Sequence, residues 1–495
     1  MNRKIIISII MTCVLVSILT GCSSISPTNR ARFEYADCKF QIPEGINYKI
    51  ECGNLFVPED RGQKDSPLIR LHVAIIRSQS PEPAPDPLVY LPGGWAMPAV
   101  YDLQHLAPKF AQVLERRDLI LFDSRGVGYS EPSLDCPEIP IQVYEDTKAL
   151  LGRDNRAENY IHAAEVCHDR LVSAGINLVA YSTKANAADV NDLRITLGYQ
   201  KLNLFGASYG TRVALEVMRD YPQGVRSAIL DSTYPPHTNV FIEEASILDR
   251  SLKLLAERCS ADEECNRKYP DIYTVFYDLV AQQDAKPGAD INGNNLIQAI
   301  WYKFYSTQEI PYIPQLLYQF KLGRWGNLSA NPISLGFINQ PGEVTLSEGK
   351  RFSIICQEEI AYTSPDAIMA ANANVQRRLT EFFNEPIFQI CSFWGVDPAD
   401  PSEVEAVKSK VPALILQGDY DAATPPAWAT LAAKTLSNAQ YYEFRGIGHG
   451  VYGDGADGGK CSIGMVNAFL ADPMQVIDSS CLDDMKSFFI TSTAP

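Results

Sequence analysis

The stretch Leu202-Asn203-Leu204-Phe205-Gly206-Ala207-Ser208-Tyr209-Gly210-Thr211-Arg212-Val213-Ala214-Leu215 places an apolar strand pattern before Gly-x-Ser-x-Gly and an apolar helix pattern after it. This order predicts a sharp strand-to-helix turn with Ser208 at its apex, in a strained backbone conformation. Gly206 and Gly210 are expected because neighbouring backbone passes close to such a turn. The Ser208 hydroxyl would stand clear of the sheet above a helix N-terminus, which favours developing negative charge. The motif alone also occurs by chance in ordinary turns. Here the strand before it and the helix after it favour a nucleophile.

Short apolar strand patterns flank this stretch on both sides and predict one sheet. They occupy residues 88–91, 119–122, 225–230, 411–418 and 440–444. Short apolar runs that alternate with helical sequence, such as 185–197, are typical of a parallel sheet covered by helices on both faces. Upstream, the alternating segments 48–60 and 68–76 predict an antiparallel strand pair.

Residues 232–408 break this order, because they are helical and loop-like, rich in aromatic residues, and contain no further buried strand run. A long insertion between successive strands of one sheet predicts a cap over the strand ends. The predicted core therefore comprises residues 35–231 and 409–495, with the mainly helical cap insertion at 232–408 between them. The predicted fold class is α/β.

The N-terminal residues predict export. Basic residues precede a largely apolar run through residue 19, and the segment ends in Leu-Thr-Gly-Cys22. A charged start, an apolar centre and small residues before a cut describe a secretory signal. The ending is similar to the lipobox of bacterial lipoproteins. That resemblance implies a signal peptide at 1–21, a lipid on Cys22 that anchors the protein to a membrane of the cell envelope, and a tether at 22–34. A plain signal peptide or a signal anchor is the alternative.

The net charge limits the partners, and the cysteines indicate an oxidising compartment. The net charge of −16 makes nucleic acid and anionic membrane surfaces poor partners. Of the twelve cysteines, Cys13 and Cys22 belong to the signal and the lipid site, which leaves ten. An even number in an oxidising compartment implies disulfides, whose connectivity the sequence does not fix, and reduced buried cysteines are the alternative. The ten fall in close sequence pairs: Cys38/Cys52, Cys136/Cys167, Cys259/Cys265, Cys356/Cys391 and Cys461/Cys481. No Cys-x-x-Cys or histidine-rich spacing suggests a metal.

A serine nucleophile needs a base within hydrogen-bond reach and an acid that orients the base. Asp421 follows the strand pattern at 411–418 and His449 follows the last strand, which gives the chain order Ser, Asp, His. His449 would take the Ser208 proton, and Asp421 would hold the imidazole tautomer. Asp419 and Asp231 are the alternative acids. The other histidines lie in a strand, in a helix or in loops far from the expected strand end, and are His72, His105, His162, His168 and His237.

The oxyanion hole is expected to combine two backbone N–H groups. One belongs to Tyr209, directly after the serine. The second comes from the loop Gly93-Gly94-Trp95 after the strand at 88–91. Gly94 is favoured because its amide can approach a substrate without a side chain in the way. A glycine turn that serves only to reverse the chain is the alternative.

These motifs together resemble a known family. The set that carries the resemblance is Gly93-Gly94, Asp123-x-Arg125-Gly126-x-Gly128-x-Ser130, Gly206-x-Ser208-x-Gly210, Gly418-x-x-Asp421-x-x-Thr424-Pro425 and Gly448-His449. It is similar to the prolyl iminopeptidase and tripeptidyl aminopeptidase group of α/β-hydrolases. The opening Cys52-Gly53-x-Leu55-x-Val57-Pro58 and the cysteine-bearing tail look like the secreted, tripeptidyl aminopeptidase-like branch. The resemblance implies an α/β-hydrolase fold with a cap, and removal of residues from peptide N-termini through a serine acyl-enzyme without a cofactor.

Two positions bear on the substrate. The family usually has Gly-Gly-Pro-Gly after the first parallel strand, whereas Trp95-Ala96 replaces Pro-Gly here. The Trp95 ring beside the oxyanion loop bears on substrate preference more than on catalysis. An aminopeptidase must also bind a free α-ammonium. This chain has Cys356-Gln357-Glu358-Glu359, and related enzymes carry an acidic residue after the corresponding cysteine. The resemblance therefore makes Glu358 the candidate for the ammonium site. A solvated surface carboxylate is the alternative.

Three functions are compatible with these features. The favoured one is a serine aminopeptidase that acts on peptides with a free N-terminus. The second keeps the chemistry but acts on small acyl compounds, as an esterase or amidase, and only the ammonium site distinguishes the two. The third is a non-catalytic binding protein on a hydrolase scaffold, which the presence of Ser208, Asp421 and His449 disfavours. The sequence leaves open the preferred N-terminal residue, the number of residues released and the oligomeric state.

Overall fold

A mixed sheet forms the centre of the part of the chain that the structure describes. The computed structural model describes residues 31–148, 153–286, 292–324, 346–383, 386–485 and 489–490, so the predicted signal peptide and Cys22 lie outside it. The strands are β1 Arg32–Tyr35, β2 Ile50–Pro58, β3 Leu68–Ile76, β4 Leu88–Leu91, β5 Leu119–Phe122, β6 Leu202–Ala207, β7 Val225–Asp231, β8 Ala413–Gly418 and β9 Ala439–Phe444. In the described residues their order across the sheet is β1-β2-β3-β5-β4-β6-β7-β8-β9.

The body of this sheet is parallel and one edge is antiparallel. Strands β5, β4, β6, β7, β8 and β9 pair in parallel, whereas β1, β2, β3 and β5 pair antiparallel in that order. Every residue of β5 and β8 is buried, as expected for strands covered on both faces. The predicted parallel strands and the predicted β2–β3 pair are therefore confirmed.

The boundary predicted between tether and core is wrong by a few residues. Strand β1 pairs with β2 from Arg32 opposite Phe56 to Tyr35 opposite Gly53, so the sheet begins inside the stretch predicted as a tether. This strand is short and largely exposed, and its stability comes from pairing with a distant segment. A local sequence pattern does not carry that information.

Helices cover both faces of the sheet and form the insertion. They are α1 Leu103–Lys109, α2 Ala111–Leu114, α3 Glu138–Lys148, α4 Arg153–Ser173, α5 Thr183–Thr196, α6 Tyr209–Asp220, α7 Val240–Ala261, α8 Glu263–Lys268, α9 Ile272–Asp284, α10 Gly293–Lys303, α11 Ile313–Lys321, α12 Glu348–Glu358, α13 Pro365–Ala371, α14 Arg377–Phe382, α15 Ile387–Phe393, α16 Pro426–Ala433 and α17 Ala456–Ala471. Alternate residues of β8 face opposite layers, since Ile415 packs with α5, α6 and α16 while Leu414 packs with α1, α2 and α17.

The insertion between β7 and β8 has apolar packing of its own. Helices α7, α9, α10 and α11 bury a shared core that includes Leu252, Phe276 and Ile300. Helices α12 and α15 pack instead on α4, around Phe352 and Trp394. The first cluster also includes Tyr420 and Ala422 of the core, so both groups of helices contact the core.

Five disulfides join the ten cysteines of the described residues in the pairs that lie close in sequence. They are Cys38–Cys52, Cys136–Cys167, Cys259–Cys265, Cys356–Cys391 and Cys461–Cys481. The prediction of disulfides is confirmed, and this usage is typical of exported proteins. Within the described part of the chain, none of the helices combines the length and the hydropathy that a membrane span requires.

Candidate active site

The strand-to-helix turn at Ser208 has the geometry that its sequence predicts. Strand β6 ends at Ala207 and helix α6 begins at Tyr209, with Ser208 between them at φ +53° and ψ −123°. A non-glycine residue rarely adopts a positive φ, and such strain is typical of functional positions. The Ser208 amide donates to the Asp231 carbonyl at 2.9 Å, and the Ser208 carbonyl accepts from the Thr211 amide at 2.9 Å. These bonds hold the strained turn between β7 and the first turn of α6.

The two glycines of the turn are required by close backbone approach. A β-carbon on Gly210 would lie 1.9 Å from the Leu91 carbonyl oxygen, at the end of β4. A β-carbon on Gly206 would lie 2.6 Å from the Gly210 carbonyl oxygen. Neither site can accept a side chain unless backbone moves, so the predicted reason for these glycines is confirmed.

His449 and Asp421 form a hydrogen-bonded pair. His449 Nδ1 lies 3.0 Å from each carboxylate oxygen of Asp421, which is fully buried. Asp421 Oδ1 also accepts from the amides of Ala423 and Thr424 at 2.8 Å. Asp421 Oδ2 accepts from Thr424 Oγ1 at 2.9 Å and from Gln417 Nε2 at 3.2 Å. Because all of these partners donate, they hold the carboxylate ionised and in one orientation.

The charges of this pair stabilise each other. Burial acts to raise the pKa of Asp421, but the positive charge that His449 can carry, its hydrogen bond and the backbone amides hold that pKa below its usual range. Burial acts to lower the pKa of His449, but the Asp421 carboxylate outweighs burial and raises it, with a smaller contribution from Asp231. The imidazole therefore binds a proton more readily than an isolated histidine.

The two alternative acids have other partners. Asp419 accepts from Arg258 Nη2 and from the Gly446 amide. Asp231 accepts from the amides of Val451 and Tyr452 at 2.7 and 2.9 Å. Asp231 thus anchors the backbone that follows His449, and neither carboxylate hydrogen-bonds the His449 ring.

The loop after β4 lies directly against the serine. A β-carbon on Gly93 would be 2.9 Å from Ser208 Cβ and 3.5 Å from Ser208 Oγ. Gly94 and Trp95 follow with φ +69° and +59°. Tyr209 is the first residue of α6, so its N–H has no intrahelical acceptor. The structure thus brings the two predicted oxyanion elements to the Ser208 turn, while the roles of Gly94 and Tyr209 stay predictions.

The fold and these sequence features match a known family. A family model described as alpha/beta hydrolase fold matches residues 86–456. The chain belongs to the α/β-hydrolase family. The predicted fold class is thereby confirmed.

Curated relatives of this hydrolase include peptidases and an esterase. Serine protease Hip1 of Mycobacterium tuberculosis is 24% identical over 428 residues, which cover 79% of this chain and 80% of that protein. Tripeptidyl aminopeptidase of Streptomyces coelicolor is 28% identical over 228 residues, or 44% of this chain and 41% of that protein. Carboxylesterase B of M. tuberculosis is 24% identical over 430 residues, or 82% and 81%. The predicted relation to tripeptidyl aminopeptidases is supported at low identity.

Residues of the insertion contact the His449 loop of this hydrolase. The Tyr305 ring lies 5.0 Å from the His449 ring in an edge-on arrangement. The Gly448 amide donates to Thr307 Oγ1 at 3.1 Å. The Gly450 amide donates to Ser232 Oγ at 2.8 Å, one residue after the Asp231 carbonyl that receives the Ser208 amide. His449 is therefore fixed between the insertion and the strand next to the Ser208 turn.

The acidic pair that the sequence singles out is buried. Glu358 is 3% exposed and accepts from the amide and the hydroxyl of Thr183, both at 2.7 Å. Glu359 is 1% exposed and accepts from Arg212 Nη1 at 2.6 Å and from the Tyr234 hydroxyl. Glu359 Oε2 is buried without a hydrogen-bond partner in the described residues. Burial raises the pKa of both carboxyls despite the attraction of Arg212.

Trp95 lies near this pair. Its ring centroid is 6.4 Å from that of Tyr209 and 6.2 Å from that of Tyr234, whose hydroxyl donates to Glu359. The Trp95 indole N–H is buried and has no acceptor among the residues that the structure describes. Trp95, where this chain departs from the family pattern, therefore packs from the oxyanion loop against Tyr234, which bonds Glu359.

The sequence does not predict the buried polar network around the Tyr209 hydroxyl. The Tyr209 hydroxyl bonds Thr183 Oγ1 at 2.7 Å and accepts from Asn186 Nδ2 at 3.2 Å. Lys350 donates to Asn186 Oδ1 at 3.1 Å and is fully buried. Burial, together with nearby Arg125, lowers the pKa of Lys350 to about 7. The feature that distinguishes this network is the burial of a lysine, and the amphipathic pattern of α12 does not reveal that burial in the sequence.

Proposed function

We propose that this hydrolase is a serine peptidase that releases residues from the N-termini of peptides. The observation that carries the proposal is the His449–Asp421 pair, whose bonds at 3.0 Å fix the imidazole, together with a serine held at a strained turn at φ +53°. The peptidases among the relatives, at 24 and 28% identity, support a peptide substrate.

In the proposed mechanism Asp421 accepts the Nδ1–H of His449, which leaves the Nε2 lone pair to take the Ser208 proton. Ser208 Oγ attacks the scissile carbonyl, and the amides of Tyr209 and Gly94 stabilise the oxyanion. His449 then gives the proton to the leaving amine. A water attacks the acyl-enzyme by the same route, with His449 again as the base.

We propose the pair Glu358 and Glu359 as the site for the substrate ammonium. Glu358 is the residue to which the family resemblance points. Glu359 Oε2 supports the pair because it is a buried carboxylate oxygen without a partner in the described residues. Two carboxylates beside the single guanidinium of Arg212 leave a net negative charge that an ammonium would neutralise. Trp95 would then line the path between this pair and the oxyanion loop.

The experiment that tests this function compares a peptide amide with its N-acetylated twin. Wild type should cleave the free-amine substrate much faster, because the acidic pair would bind its ammonium and the acetylated twin carries no such charge. The carboxylates are needed because an ammonium enclosed without a partner costs several kcal/mol. Glu358→Gln and Glu359→Gln should each reduce the preference, with the larger loss for Glu359→Gln. Loss of one partner of such a charge pair costs about 2–5 kcal/mol, or roughly 30- to 5,000-fold.

The outcomes separate the two parts of this proposal. Equal cleavage of both peptides by wild type would refute the aminopeptidase. A preference that survives both substitutions would refute only the choice of carboxylates. Hydrolysis of a small neutral ester is the control, because it needs no ammonium contact and should change little in either variant.

A carboxylesterase is the second candidate. Carboxylesterase B, at 24% identity, covers as much of the chain as the peptidase Hip1 does. The acidic pair also has protein partners in Thr183 and Arg212, as a purely structural pair would. Ester hydrolysis that exceeds amide hydrolysis, with no effect of N-acetylation, would favour this candidate.

We also propose that the protein is exported and anchored through a lipid on Cys22. The disulfides support export, and the lipobox-like ending supports the anchor. Cys22→Ala should move the mature protein from the membrane fraction to the soluble fraction with its specific activity intact. Wild type that is soluble after cell disruption would instead favour a plain signal peptide.

A further inference from the structure

The loop that carries Asp421 is held by the insertion as well as by the sheet. Arg250, on α7, donates through Nη1 to the Asp419 carbonyl at 2.8 Å and through Nη2 to the Asp421 carbonyl at 2.9 Å. Trp301, on α10, donates through Nε1 to the Ala422 carbonyl at 3.0 Å. Three carbonyls within four residues of this loop therefore receive side-chain donors from the insertion.

We propose that Arg250 is a positioning residue of the active site, which fixes the backbone at Asp421 and so the carboxylate that orients His449. The proposal rests on the proposed function, since it assigns Arg250 a role only through Asp421. It gives helix α7 a part in assembling the catalytic residues.

The guanidinium suits this task for geometric reasons. It is planar and presents several N–H donors in a rigid arrangement, so a single side chain can bridge two carbonyls two residues apart. The Asp421 carboxylate is meanwhile held by Gln417, Ala423 and Thr424, which all belong to the core. The acid loop is thus fixed from the core through its carboxylate and from the insertion through its carbonyls.

Arg250 also adds a charge at this place. The charged groups that act on it are Asp421, Asp419, Glu443 and Arg258. Those that act on His449 are Asp421 and Asp231. A neutral substitution would therefore remove a charge beside Asp421 and release the loop at the same time, so a loss of activity would not separate the two effects. A test of position must keep the charge.

Arg250→Lys meets this requirement, because a lysine keeps the charge but cannot bridge both carbonyls in the same geometry. If Arg250 positions Asp421, the variant weakens the Asp421–His449 bond. We expect kcat to fall about tenfold or more, with KM for a neutral ester almost unchanged, since small misplacements of catalytic groups can cost up to about 100-fold. The acid limb of kcat/KM should move to lower pH, because His449 loses part of the stabilisation that raises its pKa.

The matched control is Arg267→Lys, the same exchange on the exposed surface of α8. It should leave kcat, KM and the pH profile unchanged. Circular dichroism and thermal unfolding are measured for both variants, so that a loss of folded protein is separated from a loss of turnover. Arg250→Met, which removes both donors and charge, should lower kcat further than Arg250→Lys.

Each outcome decides a separate point. A wild-type kcat in folded Arg250→Lys would overturn the proposal, and so would a lower kcat with an unshifted acid limb, which indicates a purely structural residue. Ser208→Ala is measured in the same assay. If it hydrolyses the ester as fast as wild type, the proposed function fails and this inference fails with it. If it is inactive while Arg250→Lys behaves as wild type, only this inference fails.

Discussion

Asp421→Asn changes one carboxylate oxygen into an NH₂ group, and the surroundings decide which one. At the Oδ1 position an NH₂ group would face the amides of Ala423 and Thr424, both donors at 2.8 Å. At the Oδ2 position it would face Thr424 Oγ1, which can accept, and Gln417 Nε2. The asparagine should therefore keep its oxygen at Oδ1 and place its NH₂ at Oδ2.

That orientation changes the tautomer of His449. Since Nδ1 lies 3.0 Å from both positions, the new NH₂ would donate to Nδ1 and leave the proton on Nε2. An imidazole in this tautomer cannot accept the Ser208 proton. The expected loss is on the order of 10⁴-fold in kcat, or about 5.4 kcal/mol of transition-state stabilisation. The acid limb of kcat/KM should also move to lower pH, because the anion that raises the pKa of His449 is gone.

Asp231→Asn is the matched control, because it makes the same exchange on a fully buried neighbour. An asparagine can accept from only one of the Val451 and Tyr452 amides, so the variant should lose about 1–3 kcal/mol of stability. Its kcat should stay within about tenfold of wild type, since it does not hydrogen-bond the imidazole. Steady-state hydrolysis of a neutral ester across pH, with thermal unfolding alongside, measures both effects. If Asp231→Asn proves the more damaging to kcat, Asp231 is the catalytic acid and the reasoning is refuted.

Two further expectations concern pH and the turn. The acid limb of kcat/KM for a neutral ester should have its midpoint above the ordinary histidine value of 6.5, because His449 acts as a base only when neutral and Asp421 raises its pKa; a midpoint below 6.5 would contradict this. Gly210→Ala should abolish activity and destabilise the fold by about 3 kcal/mol or more, because its β-carbon would lie 1.9 Å from the Leu91 carbonyl oxygen. Gly464→Ala, in α17 with nothing within 4 Å, is its control and should raise stability by about 0.5–1 kcal/mol in thermal unfolding.

The parts of the fold that could be predicted are those with a local cause. Buried parallel strands such as β5 and β8 are continuous apolar runs, and the turn at Ser208 requires glycines on both sides. Ser208, Asp421 and His449 could be identified because each follows a recognisable strand, β6, β8 and β9 respectively. The start of the sheet could not be predicted in this way, because β1 depends on pairing with β2.

The surroundings of the site depend on contacts between distant segments. Lys350 and Asn186 meet across 164 residues, and Thr183 and Glu358 across 175. A sequence pattern identifies Glu358 as an acidic residue in the insertion but not the partners that occupy it. For the same reason Arg250 looks like an ordinary residue of an amphipathic helix until its two carbonyl acceptors are known.

The most direct test of the account is labelling by a fluorophosphonate probe, which reacts with an activated serine hydroxyl. Wild type and Ser208→Ala are treated side by side, with intact mass and peptide mapping to locate the adduct and circular dichroism to establish that both are folded. The account predicts one adduct on Ser208 in wild type and none in the variant, together with a loss of hydrolysis on the order of 10⁴-fold or more. Labelling or turnover that persists in folded Ser208→Ala would contradict the assignment of Ser208 as the nucleophile.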